Sequence, residues 1–243
     1  MNVEGKNAVR EAVASAKTVD KVLVQNGLRD AESRKLVSEI KESGIKFSFA
    51  DKSVLDKLST TKKHQGFIAF LSDFSYCDEE DIIEDASKNG SVILVLDGIE
   101  DPHNLGSIIR VGECGGVAGI VIGKHRSATV TDAVMRISEG SANHVKIAKV
   151  TNINACLEKI KAANIFAYAL ELGGENIYET NLTGAIAIVV GGEDTGVNAL
   201  TKKICDGVIT IPMFGKINSL NASVAAGIAL FESVRQRTAK GKK

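Results

Sequence analysis

Tryptophan is absent from this 243-residue chain, and aromatic residues make up only 5% of it. Any core must therefore be mostly aliphatic. Only two prolines occur, beside a hydrophobic content of 44%, which fits an ordinary globular protein. The four cysteines, Cys77, Cys114, Cys156 and Cys205, stand far apart with no CxxC pair. That excludes a disulfide framework and a cysteine zinc site, and the thiols read as reduced and cytosolic. His103 and His144 lack metal-type spacing to a second His or Cys, so no metal is expected. No apolar run approaches the roughly 18 residues that a membrane helix needs. The opening Met1-Asn2-Val3-Glu4-Gly5-Lys6 lacks the basic-then-apolar form of a signal peptide. The expectation is a cytoplasmic protein without a membrane partner.

Net charge is also lacking, at zero, but its distribution is uneven. Residues 1–72 hold 13 Lys and Arg against 9 Asp and Glu, residues 73–90 hold 1 against 7, and residues 91–243 hold 16 against 14. An acidic segment thus masks a mildly basic chain. Phosphate binding depends on local basic patches rather than the total, so an RNA partner is permitted and not demanded.

What is present is a repeated alternation of apolar runs and amphipathic stretches. Before the acidic segment, an αβαβαβ pattern is expected. Its helices are Gly5 to Ser15, Ala31 to Ser43 and Lys52 to Leu58, and its strands Lys21 to Gln25, Ile45 to Ala50 and Phe67 to Leu71. The segment 73–90 reads as an acidic linker between domains, ending in the turn signal Asn89-Gly90, with a short helix over Asp81 to Ala86 as the alternative. Beyond it come continuous apolar strands at 92–96, 119–122, 145–150, 165–170, 185–190 and 208–211, mostly separated by helices. That pattern means a parallel sheet covered on both faces. The basic tail from Arg235 to Lys243 is expected to fray.

Three strand–loop–helix junctions hold the candidate chemistry. Such junctions collect ligands because backbone N–H groups and the helix dipole point into the gap. In the first, Asp101-Pro102-His103-Asn104 precedes a helix from Leu105 to Cys114. Asn104 is a plausible N-cap, and Arg110 is either a solvated helix residue or a group reaching the same cleft. Cys114, within an apolar helix, reads as core. In the second, Gly191-Gly192-Glu193-Asp194-Thr195-Gly196 lacks the GxGxxG spacing and the Gly-Lys-Ser/Thr ending, so neither a dinucleotide fingerprint nor a P-loop fits. Its glycines permit close backbone approach, and Glu193 either favours a helix start or binds a substrate hydroxyl. In the third, Ile211-Pro212-Met213 leads to Ser219-Leu220-Asn221-Ala222-Ser223 at the mouth of an Ala-rich helix. Those polar residues serve as a cap or as more than a cap. No Ser–His–Asp arrangement can be argued.

Asn104-Leu-Gly-Ser-Ile-Ile-Arg110, Val190-Gly-Gly-Glu193 and Ile211-Pro-Met213 with Ser219-Leu-Asn221-Ala-Ser-Val-Ala, in that order, resemble the three signature motifs of the SpoU branch of the SPOUT methyltransferases. The resemblance continues through Phe231-Glu-Ser-Val-Arg-Gln-Arg237. Gly5-Lys6-Asn7-Ala8-Val9 and His64-Gln65-Gly66-Phe67 resemble the small substrate-binding domain of RlmB-type enzymes. The resemblance implies an α/β fold: an RNA-binding domain over 1–72, the linker, and a methyltransferase domain over 91–243 whose last segment threads a deep trefoil knot. It implies transfer of a methyl group from S-adenosylmethionine to a ribose 2′-oxygen, of a guanosine in large-subunit ribosomal RNA for the RlmB-like group. Carried onto this chain, Asn104, Arg110, Glu193, Ser219 and Asn221 form the catalytic set, and Gly191, Gly192, Ile211, Met213 and Leu220 hold the cofactor. Lys6, Asn7, Lys62, Lys63, His64 and Gln65 are the candidate RNA contacts, and a homodimer forms through the knotted domain. Asp194 departs from the glycine that many relatives carry after the glutamate, which stiffens the loop and adds negative charge beside the RNA. Methylation of tRNA or of another ribosomal site, and a non-catalytic ribosome-assembly factor, are the alternatives. A dinucleotide-dependent oxidoreductase is the weakest of the readings.

Overall fold

A computed structural model describes residues 2–14, 19–71, 74–216 and 219–240. Several expected features fall outside them: the helix end at Ser15, the domain boundary at 72 and 73, the third-motif residues 217 and 218, and the last residues of the basic tail. The chain divides into two compact units, Met1–Ser75 and Tyr76–Lys243.

In the first unit β1 (Asn2–Glu4), α1 (Lys6–Ala14), β2 (Val19–Gln25), α2 (Ala31–Glu42), β3 (Phe47–Ala50), α3 (Lys52–Leu58) and β4 (Phe67–Leu71) follow one another. The sheet order is β1-β4-β2-β3, with β4 antiparallel to both neighbours and β2 parallel to β3. β1 is a strand that the αβαβαβ expectation lacked, since three residues are too few to show a period. Helices α1 and α2 bury Val9, Leu36 and Ile40 with Phe67 in one aliphatic cluster. Asp30 caps α2, accepting from the Ser33 amide at 2.9 Å.

Glu4 at the end of β1 closes this unit. Its carboxylate accepts from Ser59 Oγ (2.6 Å), Thr60 N (2.6 Å), Thr61 N (3.4 Å) and Thr61 Oγ1 (2.6 Å). Those donors, the Ser59 and Thr61 hydroxyls first, pull the carboxyl down to about 2.

The second unit runs α4 (Glu79–Asn89), β5 (Val92–Asp97), α5 (Pro102–Gly115), β6 (Gly119–Gly123), α6 (Asp132–Ile137), β7 (Ile147–Val150), α7 (Ile153–Ala162), β8 (Phe166–Asn176), β9 (Ile186–Gly191), α8 (Ala199–Ile204), β10 (Gly207–Thr210) and α9 (Ala222–Lys240). Six strands lie in the order β10-β8-β9-β5-β6-β7, every pairing parallel. Val92 to Leu96 on the central β5 are fully buried, which explains their unbroken apolar run. Helices α5 and α9 pack against each other, and α9 also packs on β9.

The acidic stretch is not a linker along most of its length. From Glu79 to Asn89 it is α4, burying Ile82 and Ala86 in the core of the second unit. Its carboxylates stay outside, where Glu79 and Glu80 hold Lys159 at 2.7 and 2.6 Å. Acidic residues suit the first turn of a helix, so their density marks a helix start just after the division between the units at Ser75 and Tyr76. β8 also continues six residues past the expected Leu170, and its register against β10 shifts between Val208 and Ile209.

Glu4 yields a pH-dependent expectation. A carboxyl held near 2 when folded, against an ordinary 4.5, contributes stability that is complete above about 4.5 and lost as pH falls through about 2. Discounted for solvent screening, Glu4→Gln removes about 1 kcal/mol, or roughly 5 °C of melting temperature in a unit of this size. Melting curves of the two proteins should differ at pH 6 and converge near pH 2. A constant offset across that range would show that the carboxylate charge is not responsible.

Candidate active site

The three junctions meet at the C-terminal ends of β5, β9 and β10. At the first, Asp101 rather than Asn104 caps the helix. Asp101 accepts from the His103 amide at 3.1 Å and Pro102 takes the first helical position, so α5 begins three residues earlier than expected. With the cap at Asp101, the Asn104 amide lies inside the first turn, buried and available for a tertiary partner.

That partner is Glu193. Asn104 Nδ2 donates to Glu193 Oε1 at 3.1 Å. Asn221 Nδ2 donates to the same oxygen at 2.5 Å and to Asn104 Oδ1 at 2.8 Å. The Ala222 amide, at the start of α9, adds a longer contact of 3.4 Å to Glu193 Oε1. Asn221 is also the cap of α9. Its Oδ1 accepts from the Ser223 amide (3.0 Å), the Ser223 hydroxyl (2.6 Å) and the Val224 amide (3.3 Å). One side chain therefore caps a 19-residue helix and ties all three junctions together. The carboxylate lies at a helix N-terminus, where the dipole favours negative charge.

The loop carrying Glu193 is held by close backbone approach. A Cβ on Gly191 would come within 2.0 Å of the Gly196 carbonyl carbon, and one on Gly192 within 2.6 Å of the Gly98 carbonyl oxygen. Gly196 adopts φ +62°, and the Gly196 amide donates to the Gly192 carbonyl at 2.8 Å. Outside the loop, Glu171 Oε2 accepts from the Val197 amide at 3.1 Å and lies 3.6 Å from Lys202 Nζ. Asp97 Oδ2 accepts from the Asn198 amide at 2.9 Å.

Between this loop, the end of β8 and the segment after β10 opens a cleft of about 330 Å³, within the range of small-ligand sites. All five expected cofactor positions, Gly191, Gly192, Ile211, Met213 and Leu220, line it, with Glu193 and Ser219. Apolar side chains and glycine backbone suit a planar heterocycle whose edge is read by main-chain groups. Leu170, Glu171 and Leu172 form a wall that sequence reasoning missed. The only trace of it was the polar and Gly-rich Glu171-Leu172-Gly173-Gly174 following an apolar run.

Arg110 is placed apart from this network. Its Nη1 donates to Glu139 Oε1 at 2.7 Å, and both side chains are more than half exposed. Cys114, expected in the core, is exposed on the same helix. Burial, by contrast, pushes the Cys156 thiol up to about 12 and the Cys205 thiol up to about 11, so both stay protonated and inert.

The expected RNA contacts of the first unit cluster unevenly. The Lys6 amide donates to Gln65 Oε1 at 3.1 Å, which joins the start of α1 to the 62–65 turn. Asn7, Lys62, Lys63 and Gln65 are exposed. Lys6 Nζ is engaged by Asp30 at 2.7 Å and Glu32 at 3.4 Å. His64 is buried: its Nδ1 accepts from the Gly66 amide at 2.9 Å, so its Nε2–H donates to Asp56 Oδ1 at 2.9 Å. In this structure His64 shapes the turn rather than facing solvent.

The two duties of Asn221 can be separated. Asn221→Ala loses the cap and strands the Asn104 and Glu193 groups, a loss of about 1–3 kcal/mol in urea unfolding. Asn221→Ser restores a cap but not the bridge, so it should recover about 1 kcal/mol and no more. Full recovery in the serine variant would reduce Asn221 to a cap.

Residues 91–231 match the SpoU rRNA Methylase family, and residues 2–77 match the family of RNA 2′-O ribose methyltransferase substrate-binding domains. A protein of Staphylococcus haemolyticus assigned to the TrmH family of tRNA/rRNA methyltransferases is 37% identical over 238 residues, 97% of this chain and 95% of its own. The SpoU methyltransferase AviRb of Streptomyces viridochromogenes, solved in complex with AdoMet, has a similar fold, with a TM-score of 0.63 at 22% identity over 98% of this chain and 91% of its own. The TrmH/SpoU tRNA modifying enzyme of A. aeolicus aligns at 32% identity with a TM-score of 0.58, over 67% of this chain and 84% of its own. The chain belongs to the SpoU/TrmH family of RNA methyltransferases, which use S-adenosylmethionine.

Proposed function

We propose that this protein methylates the 2′-oxygen of a guanosine ribose in large-subunit ribosomal RNA, as RlmB-like enzymes do. The first unit, holding residues 1–72, presents the RNA, and residues 91–243 carry the transfer. The observation that supports this reading most is the Asn104–Glu193–Asn221 network beside a glycine-walled cleft. Both units match families of this activity, whereas the tRNA modifying enzyme of A. aeolicus resembles only 67% of the chain. That difference favours ribosomal RNA over tRNA as substrate.

S-adenosylmethionine, when bound in the cleft, supplies a methyl group on a positively charged sulfur, with no need for a metal. Backbone groups at Gly191, Gly192, Ile211, Met213 and Leu220 hold its adenosine portion. The acceptor hydroxyl is a weak nucleophile, so orientation supplies much of the rate. Ser219 and Asn221 order the ribose, while Asn104 and Asn221 keep Glu193 fixed. A guanidinium stays protonated at every working pH, so Arg110 is no resting base. It instead grips the ribose and its neighbouring phosphate bidentately.

Arg110 points along the exposed side of α5 toward Glu139, so reaching a substrate requires it to leave that ion pair. Val224 and Phe231 of α9 are also exposed, at 49% and 46%. Burying such apolar groups is favourable, which supports a homodimer through this unit. The course of the chain from β10 at the sheet edge back to α9 against α5 and β9 suits a threaded trefoil. Among the described residues no helix is long and apolar enough to cross a membrane, and a cytoplasmic location fits a ribosomal substrate.

The test is methyl transfer from labelled S-adenosylmethionine to unmodified large-subunit ribosomal RNA, with tRNA in parallel, followed by mapping of 2′-O-methyl positions. One guanosine in the ribosomal RNA should carry the label. Arg110→Ala should slow transfer by roughly 100-fold or more with cofactor binding unchanged, and Arg110→Lys should fare little better. A lysine variant that kept most of the rate would exclude the bidentate role. Label on tRNA alone would exclude the ribosomal substrate.

A further inference from the structure

The first unit carries a second surface suited to RNA, away from the motif residues that the family resemblance singled out. Between α2 and β3 lies a groove of about 330 Å³, lined by Val24, Leu28, Arg34, Val37, Lys41 and Phe49 with two serines. β3 is an edge strand, and the Phe49 ring on it is 57% exposed. Phe47, two residues earlier on the same face, supports that ring edge-to-face, with centroids 5.8 Å apart and planes at 83°. Lys41 Nζ stands 5.8 Å from the Phe47 centroid.

An exposed phenylalanine alone needs no explanation. This one is buttressed from the side, its free face borders a cavity, and two exposed cations flank that cavity. Among the described residues that line the groove none is a carboxylate, and its two serines, Ser33 and Ser38, donate to Asp30 and Glu42 at 2.7 and 3.1 Å. Of the basic residues expected to meet RNA, Lys6 is already neutralised by Asp30 and Glu32, whereas Arg34 and Lys41, like Lys62 and Lys63, appear in no ion pair among the described residues. An aromatic platform between cations is the chemistry that takes unpaired nucleotides, the base stacking on the ring and the phosphates meeting the charges. A protein helix or strand would also find apolar surface here, but the two charged residues of the lining, Arg34 and Lys41, are both cations, which favours a polyanion.

We propose that this groove binds an unstacked nucleotide of the RNA substrate, with its base on Phe49 and its phosphates on Arg34 and Lys41. The proposal rests on the reading of the protein as an RNA methyltransferase and extends it to how the RNA is gripped: the first unit selects single-stranded or looped RNA.

The absence of tryptophan makes the test direct. In full-length Phe49→Trp the introduced indole is the sole one in the chain, so its emission reports this groove. Titration with an adenosine oligoribonucleotide of about eight nucleotides should quench it saturably. A fully paired duplex of similar length should not. Phe49→Ala should weaken binding of the labelled oligomer roughly 5- to 150-fold, the equivalent of one lost stacking contact. Arg34→Ala and Lys41→Ala, both at exposed helix positions, should each flatten the salt dependence by about 0.7 in the log–log slope. Unchanged emission while anisotropy shows the oligomer bound would overturn the groove, as would equal quenching by the duplex. Methyl transfer to ribosomal RNA by the wild-type chain, measured alongside, separates the two readings. Transfer without quenching overturns the groove alone, and quenching without transfer to any RNA overturns the assigned activity alone.

Discussion

One carboxylate oxygen organises the second unit. Glu193 Oε1 receives the amides of Asn104 and Asn221 and the backbone N–H of Ala222, and those donors come from the starts of two helices widely separated in sequence. The loop after β9, the first turn of α5 and the first turn of α9 cannot move independently while that oxygen is shared. Any one of the three contacts is worth little in isolation, about 1 kcal/mol net, but leaving a partner unsatisfied costs more than the bond itself contributes. The arrangement is therefore cooperative: it forms as a whole or strands polar groups at the mouth of the cleft.

Everything around the oxygen serves to place it. Glycine at 191 lets the loop fold back on Gly196, and glycine at 192 lets it meet the Gly98 carbonyl, at distances no side chain would tolerate. Glu171 and Asp97 hold the far side of the loop through the amides of Val197 and Asn198. The parallel sheet supplies the frame, since all strands present their C-terminal ends on one edge and the loops that follow them converge there. Arg110 stands outside this set, on the exposed side of α5. For the substrate contact proposed for Arg110, a place at the surface suits a large polyanion better than one locked into the network that shapes the cleft.

The first unit solves a different problem with fewer residues. Its sheet is mixed rather than parallel, and its edges are treated unequally. β1 is anchored by Glu4 to the 59–61 turn, while β3 leaves an aromatic ring and two nearby cations open to solvent. His64 and Lys6, which local sequence presents as polar and available, are consumed by Asp56 and by Asp30 with Glu32. Availability is a tertiary property, because it depends on which opposite charge the fold brings alongside.

Most of the fold was legible in the chain. Buried strands on a parallel sheet must be apolar on both faces, so 92–96 and 185–190 announced themselves, and α3 and β4 fell where periodicity and turn residues placed them. The three motifs, in order, also carried the five residues expected at the cofactor, all of which line one cleft, because residues of one loop are local in sequence. Composition misled where chemistry had two uses. The acidic run 73–90 resembled a linker until Ile82 and Ala86 found a core to fill, and Asn104 resembled a cap until Asp101 took that place. Only the tertiary structure decided that Asn104, Glu193 and Asn221 share hydrogen bonds, that β8 and Glu171 complete the cleft, that Arg110 faces Glu139, and that Phe49 borders a basic groove. The physical reason is separation along the chain. Local pattern sets what each segment can form, but a hydrogen bond between residues 104 and 221 is specified by the packing of every strand and helix between them.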